Sequence, residues 1–246
     1  MRDRAPGLRK LARVLLPLAV TAFVVSFFTR YRLPGPADIL APLKENPIQS
    51  ADGVPEPFEA TRKNVTYTVT PLASYELWGL IVSYHHSASF VDISHKQWND
   101  HLNTKDIGVI WGRNVETGVY KRMTFRNRDF TCYFSYPDRE TGELFVESAL
   151  SNNHLLPADA LVGDAVLKAR PGDQVHFKGW LVSYGIQGAP YARRSSLSRL
   201  DRGNGACEVV YVNEFEILRP GNAEWRAVSK LSLILGVLSM AVLIFL

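Results

Sequence analysis

Two apolar segments, one at each end of the chain, constrain its fold more than any other feature. Residues 14–28 contain no charged side chain, and residues 231–246 form a second uncharged apolar run. Such runs are typical of transmembrane helices, because about 20 mainly apolar residues are needed to cross the hydrocarbon core of a bilayer. The sequence therefore predicts transmembrane helices at residues 11–29 and 227–246.

Basic residues are concentrated around the first apolar segment. Residues 1–32 carry seven cationic residues and one aspartate, a net charge of +6, whereas the whole chain carries +4. The remaining residues are slightly acidic in sum, which argues against the basic surface of a nucleic-acid-binding domain. Cytoplasmic flanks of membrane spans are enriched in Lys and Arg. We therefore predict a cytoplasmic N-terminus at residues 1–10, with the main domain on the other side. A cleaved signal peptide is the alternative, but the small residues typical of a cleavage site do not follow Phe28.

The segment after the first predicted span is rich in proline. Six of the 14 prolines of the chain lie within residues 30–63. Proline fixes φ and lacks an N–H, so such a stretch favours an extended chain with little regular structure. This segment is therefore predicted to be a linker.

Residues 64–222 have the pattern of a β-rich domain. Short runs of β-branched and aromatic residues alternate with turn signals that contain Gly, Pro, Asn and Asp. Ser94 and Gln97 have the spacing of a helix capping box, which places Trp98 and Leu102 on one helix face, and residues 158–168 form a second candidate helix. The pattern predicts a mainly β domain with one or two short helices, folded as a small barrel or a sandwich. An OB-like barrel is one form of this prediction.

Two segments that lie 100 residues apart have similar sequences. Residues 77–84 read LWGLIVSY, and residues 177–184 read FKGWLVSY. Gly79 and Gly179 occupy the same place in the two segments, where we expect a bulge or a tight bend. A duplicated strand and a chance similarity between two strands both account for the match.

The chain contains two cysteines, Cys132 and Cys207, each in a candidate strand. In an exported domain, a disulfide between them is expected. The alternative is a pair of buried thiols that pack as small apolar side chains.

Two polar segments are candidates for a ligand-binding or partner-binding surface. The first contains Asn153 and His154, which are suited to position a ligand or a general base. The second is the loop of residues 193–205, where guanidinium groups and glycine-rich backbone are suited to an anion. The loop residues predicted to form this surface are Arg194, Ser195, Ser196, Arg199 and Asp201. The alternatives are a core histidine with satisfied hydrogen bonds and a solvated loop with an ordinary Arg–Asp pair.

Several histidines lie between residues 85 and 101, but their spacing matches a zinc site only loosely. His95 and His101 are six residues apart and are expected to point in different directions. We therefore predict neither a metal site nor a cofactor.

Residues 151–212 resemble an uncharacterised family of bacterial membrane-associated proteins of unknown function. The resemblance is carried by SNNHLLP from residue 151, PGDQVHFKGWLVSY from residue 171 and RRSSLSRLDRGNGACEVVYV from residue 193. It implies a setting in the bacterial envelope.

Residues 157–175 are also similar to the strands of type I signal peptidases. However, His154 stands where the nucleophilic serine of that family should precede the proline. The covalent mechanism requires a serine activated by a lysine base. In this chain, Ser151 and Lys168 are the candidates for such a pair.

The leading functional prediction is a membrane-anchored, extracytoplasmic binding or assembly module of the bacterial envelope. Its predicted partners are the lipid bilayer, an envelope protein and a small anionic ligand. One alternative is a membrane-bound hydrolase, either signal-peptidase-like or built from a serine, a histidine and an aspartate. The residues of such a triad would be Ser195, Ser196 or Ser198 with His154 and Asp201. Another alternative is an accessory subunit of a larger membrane complex, which would pack through the small residues Ser232, Gly236 and Ser239.

Overall fold

The computed structural model describes residues 5–87, 92, 94–128, 130–201, 203 and 205–246. Arg2, Arg4, Arg202 and the side chain of His95, which enter the sequence predictions, lie outside the described part. The chain divides into two units, one formed by Met1–Arg32 with Pro220–Leu246 and the other by Leu33–Arg219. The helices are α1 (Ala5–Thr29), α2 (Ser94–Gln97), α3 (Arg113–Thr117), α4 (Arg139–Leu144), α5 (Ala160–Lys168) and α6 (Ala223–Phe245). The strands are β1 (Ile48–Ser50), β2 (Phe58–Arg62), β3 (Val65–His85), β4 (Lys105–Ile110), β5 (Thr124–Arg128), β6 (Thr131–Ser135), β7 (Leu150–Pro157), β8 (Gln174–Ile186), β9 (Arg193–Arg194) and β10 (Glu208–Arg219).

The first unit consists of α1 and α6. Both helices are long and apolar enough to cross a membrane, and most of their large apolar side chains are exposed. A helix that is apolar on all sides is typical of a membrane span. The prediction of an apolar helix at each end of the chain is confirmed, and α6 begins at Ala223 rather than at residue 227.

Small residues line the contact between α1 and α6. Ala19 of α1 is buried, and a Cβ built on Gly236 of α6 would lie 3.8 Å from the Cβ of Ala19. Ser232 and Ser239 of α6 are also buried. Small side chains of this kind let two helix backbones approach closely within a bilayer. The small residues predicted to contact another subunit therefore pack within this chain.

The second unit is built on an eight-stranded sheet, and β5 and β6 form a separate hairpin. Five strands of the sheet pair in a closed circuit, in which β3 contacts β4, β4 contacts β7, β7 contacts β10, β10 contacts β8, and β8 returns to β3. Four of these five pairings are antiparallel, and the pairing of β7 with β10 is parallel. The prediction of a mainly β domain is confirmed.

The long strand β3 continues through Pro71, although proline has no N–H to donate to a neighbouring strand. The register between β3 and β8 shifts between Pro71 and Ala73, and a bulge of this kind is where a sheet tolerates proline.

The two similar segments lie on neighbouring antiparallel strands, β3 and β8, where they meet at Leu77 and Phe177 and run away from each other in opposite directions. Their shared glycines are required because neighbouring strands pass close to them. A Cβ on Gly79 would lie 2.2 Å from Val109 Cγ1, and a Cβ on Gly179 would lie 2.0 Å from Tyr211 O. Both glycines therefore permit close approach between strands.

The main apolar cluster draws buried side chains from all five strands of the circuit. Representative members are Leu77, Val109, Leu155, Phe177 and Val210. The helix α5 contributes Val166 to the same cluster, so it covers part of the core.

Side chains at both ends fix the position of α5. Asp159 caps its first turn by accepting a hydrogen bond from Val162 N at 2.9 Å. The buried ammonium of Lys105 donates to Val166 O at 3.1 Å and to Ala169 O at 2.5 Å. Val166 O also accepts from Ala169 N at 3.3 Å, so the ammonium adds a second donor at this end of the helix, where a cation is stabilised by the helix dipole. The second predicted helix is thus present.

The first predicted helix is shorter than expected. The helix α2 ends at Gln97, Trp98 is exposed and Leu102 is buried. Trp98 and Leu102 therefore do not share a helix face, because the chain leaves the helix before it reaches them.

Most of the predicted linker is a folded part of the second unit. Leu43 is fully buried, and β1 and β2 pair with β3. Gln174 donates to Asp38 O and accepts from Leu40 N, each at 2.8 Å. A side chain therefore satisfies backbone groups in this proline-rich stretch, and the compact unit begins at Leu33 rather than at residue 64.

Two glycine substitutions are expected to change stability in opposite directions. Gly179→Ala forces the backbone of β10 to move and should lower the free energy of unfolding by about 1–3 kcal/mol. Gly163→Ala, inside α5, meets only ordinary contacts with Pro157 at 3.7 Å and should raise it by up to about 1 kcal/mol. Thermal unfolding of the full-length protein in detergent measures both. A Gly179→Ala variant as stable as the wild type would contradict the close approach of β10.

Candidate functional site

A cavity of about 330 Å³ lies beside the loop that joins β9 to β10. Its lining includes Ser198, Arg199, Asp201 and Ala206 from this loop, Leu150 from β7 and Glu208 from β10. Of the residues predicted to form a binding surface, Arg199 and Asp201 thus line the same cavity.

Arg199 is held between a carboxylate and two aromatic rings. Its Nη1 donates to Glu208 Oε1, and the side chains of Arg199 and Glu208 are 25% and 3% exposed. Its Cζ lies 5.0 Å from the ring centroid of Tyr75 and 5.6 Å from that of Trp111. A cation over an aromatic face is stabilised by the ring quadrupole. The guanidinium therefore has favourable contacts on several sides.

Glu208 is the first residue of β10 and lies opposite Asn153 in the parallel pairing with β7. Burial raises the pKa of the Glu208 carboxyl to about 7, although the Arg199 guanidinium lowers it. A carboxyl group that titrates near neutral pH on the wall of a cavity is a typical mark of a functional site.

Several buried polar atoms around this ion pair have no hydrogen-bond partner among the described residues. They include Trp111 Nε1, Asn153 Oδ1 and Glu208 Oε2. Leaving a buried polar group without a partner costs about 1–3 kcal/mol, so such groups need an explanation. Of these residues, Glu208 lines the cavity, so a polar ligand bound there can supply a partner for its free carboxylate oxygen.

The serines of the predicted surface shape the loop. Val209 N donates to Ser195 Oγ at 3.1 Å. Ser196 Oγ lies 2.7 Å from Asp201 Oδ2 and accepts from Ser198 N at 3.1 Å. These hydrogen bonds hold the loop against β10 and keep its turn closed.

His154 belongs to a different cluster from its neighbour Asn153. It is fully buried, with Nδ1 at 2.7 Å from Asp106 Oδ1 and Nε2 at 2.8 Å from Arg193 Nη2. Arginine can only donate, so Nε2 is the acceptor and Nδ1 carries the proton shared with Asp106. Both ring nitrogens are therefore occupied, as expected of a core histidine.

The structure does not assemble the Ser/His/Asp set of the hydrolase prediction. In the described part of the chain, the hydroxyl of Ser195 donates to Ser196 O at 2.8 Å, and no serine of the loop bonds to His154. Nε2 of His154, which would have to accept the proton of a nucleophile, is instead bonded to Arg193.

The arginines of the loop region do not converge on one point. Arg193 contacts His154, Arg199 contacts Glu208, and Arg194 is exposed in β9. Among the described residues, the cavity lining contains one guanidinium and the three carboxylates of Glu147, Asp201 and Glu208. The charge around the cavity therefore differs from that of the predicted anion pocket.

The two cysteines are free thiols, so the predicted disulfide is not formed in the structure. Cys132 Sγ lies 3.4 Å from Ser83 Oγ, and Cys207 Sγ donates to Phe130 O at 3.4 Å. Burial raises the pKa of Cys132 to about 11 and also raises that of Cys207. Near neutral pH both thiols therefore stay protonated and pack as small, mainly apolar side chains.

Within the described residues, no group of three or more His, Cys, Asp and Glu side chains is placed to hold a metal ion. His85 forms a pair with Asp92, with 2.6 Å between Nε2 and Oδ2.

Comparisons with protein-family models, with curated proteins and with solved structures find no match to this chain. The function of the site must therefore be inferred from its own geometry and chemistry.

Sequence reasoning missed the residues in contact with Arg199, which are Tyr75, Trp111 and Glu208. Glu208 follows Cys207 in the run CEVVYV, where one acidic residue in an apolar strand is a readable sign of a buried charge. Tyr75 and Trp111 carry no such sign, because aromatic residues in strands are most often part of a core.

The raised pKa of Glu208 predicts a specific pH dependence of stability. The pKa of Glu208 in the folded protein lies above the ordinary value of 4.5, so its contribution to stability is fully present below pH 4.5 and is lost as the pH rises through about 7. The loss is on the order of 3 kcal/mol.

Glu208→Gln should remove this loss, so its stability relative to the wild type should increase between pH 4.5 and 7.5. Thermal unfolding of the full-length protein in detergent across this range measures the difference. Glu214→Gln, at an exposed position of the same strand, controls for the loss of one carboxyl group. If the stabilities of Glu208→Gln and the wild type changed with pH in the same way, the pKa of Glu208 would not be raised to about 7.

Proposed function

We propose that this protein is a membrane-anchored binding module of the bacterial envelope, and that the cavity around Arg199 and Glu208 is its ligand site. The observation that carries the proposal is the buried Arg199–Glu208 pair with buried, unpartnered polar atoms around it. Both residues of the pair line a cavity whose volume is at the lower end of the range of small-molecule sites.

The energetic cost of this arrangement supports a role in binding. Taking an ion pair out of water costs several kcal/mol per ion, and apolar side chains of similar volume often stabilise a fold equally well. The domain nevertheless places Arg199 and Glu208 next to an apolar cluster that contains Tyr75 and Trp111. Local features that cost stability are concentrated at functional sites.

The lining of the cavity has the mixed character of a ligand site. Phe145 and Leu150 provide apolar surface, while Ser198, Asp201 and Glu208 provide polar groups. Apolar walls bury a ligand, and a few polar groups fix its orientation.

The extracytoplasmic position of the domain is part of the proposal. The apolar helices α1 and α6 support anchoring at both ends, and the excess of Arg and Lys before the first span supports a cytoplasmic N-terminus. With two spans, the segment between them lies on the opposite side of the membrane.

We also propose that the five-strand circuit is a small closed β-barrel of OB-like type. The return of the pairings from β8 to β3 supports closure. One parallel contact, between β7 and β10, and a helix, α5, between β7 and β8 support a Greek-key arrangement rather than a simple meander. Small barrels of this type are frequent ligand-binding folds.

The proposed orientation predicts which cysteine substitutions react in intact cells. In a background with Cys132→Ser and Cys207→Ser, Glu56→Cys places an exposed thiol in the second unit, and Gly7→Cys places one at the N-terminal end of α1. A membrane-impermeant maleimide should label Glu56→Cys in intact cells and Gly7→Cys only after lysis. The reverse pattern would place the domain in the cytoplasm.

Filling the cavity should remove a bound small molecule. Ala206→Phe puts a large side chain on the cavity wall, whereas Ala192→Phe puts the same side chain at an exposed position outside it. Native mass spectrometry of the full-length protein in mild detergent should detect a small molecule on the wild type and on Ala192→Phe, and not on Ala206→Phe. A wild-type protein with no bound molecule, or equal occupancy in all three forms, would contradict the proposed site.

A further inference from the structure

The guanidinium of Arg199 already has the surroundings of a bound cation. It lies over the rings of Tyr75 and Trp111, with 5.0 Å and 5.6 Å between Cζ and the ring centroids, and it is paired with Glu208. Aromatic faces combined with a carboxylate are a typical recognition site for organic cations. In this structure the cation at the site is the guanidinium of Arg199, a residue of the protein itself.

Arg199 reaches this place from a loop and not from a strand. The loop is anchored at Ser195 and Ser196, whose backbone amides donate to carbonyl groups of β8 and of the residue before β10. Gln49 of β1 also contacts the loop, through a 3.1 Å hydrogen bond from Nε2 to Leu197 O. Arg199 can therefore leave its place without breaking any pairing of the five-strand circuit.

Arg199 satisfies the site incompletely. Its guanidinium bonds to one oxygen of Glu208, while Glu208 Oε2 and Asn153 Oδ1 accept no hydrogen bond from the described residues. A guanidinium has five N–H donors, and an alkylammonium has up to three. The orientation of an external cation is not restricted by a covalent link to the loop. Such a cation can therefore donate to acceptors, such as Glu208 Oε2, that Arg199 does not reach.

The walls of the cavity carry the charge that attracts such a ligand. Glu147 and Asp201 line the cavity together with Glu208. Clefts lined by carboxylates raise the local concentration of cations. Leu200, beside Arg199, is 81% exposed, so the outer side of the loop faces solvent.

We propose that this site receives an external organic cation, a guanidinium or alkylammonium group, and that Arg199 is its built-in occupant. The external cation displaces Arg199 from between Tyr75 and Trp111 and pairs with Glu208. This inference rests on the proposed function, because it takes the cavity as the ligand site, and it adds the chemical class of the ligand.

When a side chain of the protein occupies a binding site, removing that side chain is expected to increase the affinity of the site for an external ligand. The apparent affinity for an external ligand is reduced by the fraction of molecules in which the site is free. Removing the built-in occupant therefore strengthens binding of the external cation. Removing a residue that holds the ligand directly, such as Glu208, weakens binding.

The test is calorimetric titration of the full-length protein in detergent with methylguanidinium and, separately, methylammonium. Arg199→Ala should bind at least one of these cations about tenfold more tightly than the wild type does, because the site is no longer occupied in most molecules. Arg194→Ala, which removes an exposed arginine nearby, should bind as the wild type does. The double variant Arg199→Ala/Glu208→Gln should lose the gain.

Arg199→Met keeps an unbranched apolar stem in place of the arginine methylenes, so it carries the same expectation if Arg199→Ala does not fold. Unchanged or weaker cation binding by these variants overturns the inference, as does tight binding by the double variant. Titration with inorganic phosphate distinguishes a wrong ligand class from a wrong ligand site. Phosphate binding by the wild type that is lost in Arg199→Ala would retain the cavity as a ligand site, with Arg199 as a direct anion ligand.

Discussion

The backbone of β3 requires hydrogen-bond partners along both edges, and the rest of the domain is arranged to supply them. A buried N–H or C=O without a partner costs about as much as a lost hydrogen bond. One edge of β3 pairs with β8, and the other pairs in turn with β2, β1 and β4. Since β7 and β10 complete the path from β4 back to β8, satisfying β3 also closes the circuit that surrounds the main apolar cluster.

The same circuit creates the candidate site. The parallel pairing of β7 with β10 sets Asn153 beside Glu208, and alternation along β7 sends the next residue, His154, to a separate cluster. The loop before β10 then brings Arg199 back over Tyr75 and Trp111. A buried ion pair beside unpartnered polar atoms is a poor way to stabilise a core, and the proposed ligand site would give a physical reason for its presence.

Several elements could be predicted because their signals are local. The helix α5 was predicted from the short apolar pattern of residues 158–168. The predicted binding loop contains Arg199 and Asp201, which line the cavity. The linker prediction did not anticipate the burial of Leu43. Proline content indicates how the backbone is restricted, but it does not indicate which other segments that backbone packs against. The partners of His154 were equally hidden, since Asp106 and Arg193 come from distant parts of the sequence.

By itself, the sequence determined the two apolar helices at the ends of the chain, the β-rich character of the region between them and the excess of positive charge before the first span. Each of these depends on composition or periodicity within a single short stretch. Only the tertiary structure decided that Tyr75, Trp111, Arg199 and Glu208 meet, and that Arg199 fills the place of a cation. These residues come from segments far apart in the chain, and strand pairing over long sequence distances determines which side chains become neighbours and which of them lose contact with water.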